Sequence, residues 1–171
     1  GDAHSSGNPH YWLSPVEMKA IAKFLVQRLS EISPQNQALF AANGTKAIAG
    51  IEKTQQEVKG LLKTLEGKSI FQYHKEFTYF ANAYGLKIVG TIEEIPGVSP
   101  SASRIAQVAK EAKAAGAALA LAANNNPQAI LQKFSELSGV KAVTLPTSVA
   151  NLEDSAFDVW QKELAQKILQ P

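Results

Sequence analysis

Apolar positions along this chain fall into two textures. From Pro15 to Leu29 they recur at Val16, Ile21, Phe24, Leu25 and Leu29, close to helical spacing, after a Ser14-Pro15 start in which serine caps and proline takes the first helical position. Ser33-Pro34 repeats that start signal. Behind it Leu39, Phe40, Ile48, Ile51, Val58, Leu61, Leu62 and Leu65 are spaced mostly by three, four or seven, which predicts one long helix over 34–65. Gly44, Gly50 and Gly60 interrupt it, each at about 1 kcal/mol relative to alanine, so a bend or break is expected there.

After Gly67 short apolar runs alternate with helical stretches. Strands are predicted at 69–73, 86–92, 117–123 and 141–145, and helices at 74–84, 101–115, 127–137 and 152–169. The alanines of "AALALAA" argue only weakly for a strand. Alternation of this kind implies βαβ units with right-handed crossovers, so the expected class is α/β: a long helix followed by a four-stranded parallel sheet flanked by helices. Neither a fixed-period repeat nor a low-complexity segment interrupts it.

The 171 residues suit one domain, or one domain with a large extension. Seventeen Lys and Arg against fifteen Asp and Glu leave a net charge of +2, scattered rather than clustered, so no nucleic-acid partner is expected. No apolar run reaches membrane-spanning length and no signal-peptide pattern opens the chain. The absence of cysteine excludes disulfides, thiolate metal sites and a cysteine nucleophile. The polar start "GDAHSSGNPH" is unlike an initiator region, which leads to the expectation of a processed or truncated product.

Ligands of parallel sheets bind beyond the carboxyl ends of the strands. Those ends carry Tyr73-His74, Glu93-Glu94, Asn124-Asn125-Asn126 and Leu145-Pro146-Thr147. An imidazole there suits zinc or a related ion, but His74 is equally readable as a residue beside a helix N-cap, and His10 as a packed histidine in a turn. Glu93 and Glu94, if both on a strand, point to opposite faces, which argues against a paired-carboxylate mechanism. Neither a phosphate-binding glycine motif nor a G-x-S-x-G elbow occurs. A small α/β enzyme or nucleotide-binding domain using the same rim is the alternative reading.

"GNPHYWLSP", a proline-started long helix, "YHKEFTYFANAYGLKIVG" and "IEEIPGVSPSASRIAQVAKEAKAAGA" together resemble the zinc/manganese class of periplasmic solute-binding proteins that feed ABC importers. The resemblance implies a metal receptor rather than an enzyme, with a periplasmic or extracytoplasmic location and a membrane permease as partner. It implies residues 1–33 as a remnant of a first lobe, 34–66 as the linker helix and 67–171 as the second lobe. His10 matches the first-lobe metal ligand and His74 the ligand that opens the second lobe. Histidine at 74 implies zinc (Zn2+) more than manganese (Mn2+) as the bound ion. His4 is a further candidate ligand because it lies close to His10 in sequence.

Three departures stand out. Most of a first lobe is expected either to lie upstream of Gly1 or not to exist, the third strand ends in "AANNN" where a glutamate is usual, and Pro146 or Thr147 stands where the family places an aspartate. Two imidazoles leave a tetrahedral shell unfilled, with Glu94, Glu76, Asp154 or water as candidates to complete it, and this chain is expected to bind zinc weakly or not at all. Loss of the first-lobe sheet is expected to expose apolar surface on helix 15–29 and so to favour self-association.

Overall fold

A computed structural model describes residues 7–153 and 155–170, so His4 and Asp154 lie outside the described residues. Four parallel strands, β1 (Ser69–Gln72), β2 (Lys87–Thr91), β3 (Ala120–Ala123) and β4 (Ala142–Leu145), lie in the order β2-β1-β3-β4. Six α-helices accompany them: α1 (Pro15–Ile32), α2 (Gln37–Leu61), α3 (Thr78–Tyr84), α4 (Ala102–Ala114), α5 (Gln128–Ser138) and α6 (Ala156–Leu169). The expected α/β class with a four-stranded parallel sheet is what the chain adopts.

Side chains alternate across the sheet as the two-residue strand period requires. Ile70, Leu121 and Val143 enter a core with Phe80 and Tyr84 of α3 and Leu164 of α6. Phe71, Ala120 and Ala122 face the other way, onto Val108 and Ala112 of α4 and Phe134 of α5. With both faces covered, β3 is buried throughout, and its alanines leave room for the Phe71 and Phe134 rings, whose centres are 6.2 Å apart. Gly90 serves the same ring. A β-carbon there would fall 2.1 Å from Phe71 Cε1, which is why the strand carries glycine where its neighbour carries phenylalanine.

Two expectations about the helices need correcting. Helix α2 runs unbroken through Gly44 and Gly50 to Leu61, with single 3-10 turns on either side (Pro34–Asn36 and Leu62–Leu65); at 25 residues it is about 37 Å long. Gly44 is a contact point rather than a break: an added β-carbon would meet Val26 Cγ2 at 2.3 Å, so glycine lets α1 and α2 approach. The helix expected over 74–84 is a 3-10 turn (Lys75–Phe77) followed by the shorter α3. Several apolar residues of α1, by contrast, stay on the surface, with Phe24 59% and Ile32 73% exposed. Among the described residues no helix is long and apolar enough to cross a membrane.

The chain moves from β1 to β2 on one side and to β3 on the other, so the topological switch point lies between β1 and β3. Tyr73 and His74 follow β1 directly at that point, where open sheets leave a crevice.

Candidate metal centre

His10 and His74 meet at the carboxyl end of the sheet, their ring centres 5.3 Å apart and their planes at 81°. They are 64 residues apart in sequence, and the N-terminal segment is fastened to the sheet rim by polar contacts on several sides. Trp12 Nε1 donates to the Thr147 carbonyl at 2.8 Å, and Asn8 Nδ2 donates to the Lys75 carbonyl at 2.7 Å. Beneath them Leu13 is fully buried, and its carbonyl accepts from Gln161 Nε2 at 3.1 Å. Gln161 Oε1 in turn accepts from the Tyr84 hydroxyl at 2.8 Å. This buried chain joins α3, α6 and the 3-10 turn His10–Leu13. Burial pushes the Tyr84 phenol far above its ordinary pKa, as expected for a hydroxyl that must remain a donor.

Each imidazole is oriented by an oxygen on its Nδ1 side. Asn8 Oδ1 lies 2.7 Å from His10 Nδ1 and also accepts from the His10 backbone N–H at 3.0 Å, an Asx turn. Since Asn8 Nδ2 is committed to the Lys75 carbonyl, the atom facing His10 is the oxygen; an acceptor there keeps the proton on Nδ1 and the lone pair on Nε2. His74 Nδ1 lies 2.5 Å from Glu93 Oε2, with both side chains largely buried. A carboxylate only accepts, so the proton again sits on Nδ1 and the lone pair on Nε2. Oxygen partners of this kind are the usual second layer of histidine metal sites. Desolvation and the Glu93 charge together raise the pKa of the neighbouring Tyr73 phenol.

Of the three histidines singled out in the sequence, the structure brings two together, while His4 lies outside the described residues. Among the described residues no group of three His, Cys, Asp or Glu is arranged to hold a metal ion. Glu94 and Glu76 therefore do not complete such a group with the pair, and Asp154 is outside the described residues. The premise that Glu93 and Glu94 share a strand is corrected: β2 stops at Thr91, and both lie in the loop beyond it. The strand reading thus missed Glu93. Its signal was the pairing of β1 with β2, which runs past the strand ends as the Glu93 N–H donates to the Tyr73 carbonyl at 2.9 Å. Asn8 was also passed over, although N-P-H carries Asx-turn chemistry in plain sight.

Comparison with known proteins gives a consistent result. The family described as zinc-uptake complex component A, periplasmic (ZnuA), matches residues 1–170. The high-affinity zinc uptake system protein ZnuA of Paracoccus denitrificans is 32% identical over 127 residues, 74% of this chain and 39% of that protein. The protein of the same name from Yersinia pestis is 32% identical over 105 residues, 61% of this chain and 33% of that protein. A crystal structure of ZnuA superimposes with a TM-score of 0.79 at 26% identity, covering 95% of this chain and 61% of that one. The matches span between a third and two fifths of the length of these two curated relatives. With the family match running through the sheet and the histidine pair alike, this chain belongs to the ZnuA family of periplasmic zinc-uptake components.

Proposed function

We propose that this chain is the second-lobe portion of an extracytoplasmic metal receptor, a binding protein and not an enzyme, which captures zinc and passes it to an ABC permease in the membrane. In this reading residues 1–33 belong to a first lobe, 34–66 are the linker helix and 67–171 the second lobe. Zinc is cargo, and His10 and His74 are its ligands through Nε2. His4 is a further candidate ligand. The observation that carries the reading is the His10–His74 pair, with Nδ1 of each ring turned to an oxygen acceptor.

The ring separation fits two rings on one shared ion. With a zinc–nitrogen distance of about 2.0–2.1 Å, the centre of a bound imidazole lies about 3.2 Å from the metal. Two rings then sit about 5.2 Å apart at the tetrahedral angle, about 4.5 Å at a right angle and about 6.4 Å in line. The observed 5.3 Å falls within this range, as two rings on one shared ion require; it is the imidazole pair itself that favours zinc, since carboxylate and water suit manganese better. Two imidazoles supply half of a tetrahedral shell, so water or further protein groups must supply the rest.

Calorimetric titration with zinc and with manganese tests the proposal. The wild-type protein should bind one zinc ion, weakly, in preference to manganese, and both His10→Ala and His74→Ala should abolish the heat. Equal binding by wild type and both variants would sink the assignment.

A further inference from the structure

The segment "EEIPGV" matches a motif of the resemblance without thereby acquiring a task, and the structure supplies one. Ile95, Pro96, Gly97 and Val98 form a tight turn closed by the Val98 N–H donating to the Ile95 carbonyl at 3.0 Å. Gly97 has φ +78°, the left-handed value required at the third position of a type II turn, and Pro96 supplies the fixed φ favoured at the second. The turn aims the Gly97 N–H at Glu93 Oε1, 2.9 Å away, while Glu93 Oε2 faces His74 Nδ1. One carboxylate oxygen is therefore held by the turn and the other holds the imidazole.

We infer that Glu93 is a positioning residue for metal capture: clamped by the Pro96-Gly97 turn, it fixes His74 in the Nδ1–H tautomer that presents Nε2 to the ion. This rests on His74 being a metal ligand, but the tautomer itself can be read without metal. A carboxylate is required because both neighbours are donors. Glutamine has one acceptor oxygen for two donors. If its oxygen keeps the Gly97 N–H, its amide N–H faces His74 Nδ1, which must then become the acceptor and move the proton to Nε2. The ring would stay in place while its metal-facing nitrogen lost its lone pair. A part confined to packing would show no such reversal.

The test is long-range proton–nitrogen NMR of the three histidine rings in the metal-free protein, at a pH where imidazole is neutral, with His4→Gln and His10→Gln spectra assigning the signals. Wild-type His74 should be the Nδ1–H form. Glu93→Gln should convert it to Nε2–H and weaken zinc binding by about 10- to 100-fold, the usual cost of losing a ligand's orienting partner. Glu93→Asp, which keeps two acceptor oxygens, should recover part of both effects. Gly97→Ala leaves the carboxylate intact but strains the turn, and should give a mixture of tautomers. An Nε2–H ring in the wild type, or an unchanged Nδ1–H ring in Glu93→Gln, overturns the inference. Should Glu93→Gln fail to fold, Gly97→Ala decides, and a pure Nδ1–H ring there overturns it. Failure of the wild type to bind zinc would count against the receptor reading while leaving the tautomer result standing.

Discussion

Gln161→Leu isolates the contact that seats the histidine-bearing turn on the lobe. Gln161 is fully buried, accepts from the Tyr84 hydroxyl at 2.8 Å and donates to the Leu13 carbonyl at 3.1 Å. Leucine has similar bulk, so little cavity opens, but a buried donor and a buried acceptor both lose their partners. At about 1–3 kcal/mol for each group left unpaired, the expected loss is about 2–6 kcal/mol. Near the middle of that range, about 4 kcal/mol, Tm falls by about 8–16 °C for a chain of this size. Urea unfolding followed by far-UV circular dichroism measures the loss, and a cycle with Tyr84→Phe locates it. The double variant no longer buries an unpaired hydroxyl, so its destabilisation should fall about 1–3 kcal/mol short of the sum of the single variants. A single-variant loss under about 0.5 kcal/mol, or strict additivity, would refute the buried chain as the seat of the turn.

Gly90→Ala should cost about 1–3 kcal/mol, because the new methyl meets the rigid, buried Phe71 ring; an unchanged urea midpoint would refute the close approach. Stability should also fall at alkaline pH. Burial raises the Tyr84 pKa in the folded state, so the folded chain holds its proton where the unfolded chain releases it, and stability is lost as pH rises past about 10 towards the folded value. Tyr84→Phe should flatten the alkaline limb of the urea-midpoint profile; an identical slope in the variant would count against burial of the phenol.

Local chemistry by itself determined the α/β class, the number of strands and the helix start at Ser14-Pro15, since alternation of short apolar runs with helical spacing leaves few other arrangements. The family resemblance, not local chemistry, marked His10 and His74 by their motifs. Strand and helix ends were less legible: of "AALALAA" only Ala120–Ala123 form the strand, the stretch that is in register with β4. Glycines in α2 read as weaknesses, whereas packing against Val26 makes one of them a requirement. Only the tertiary structure decided that the two histidines share one rim, because their meeting depends on Asn8, Trp12 and Leu13 bonding to residues between 67 and 148 positions away. The same holds for Glu93. Its value lies in two directional hydrogen bonds, and those exist only once parallel pairing sets β2 beside β1 and the Pro96-Gly97 turn folds back over the carboxylate.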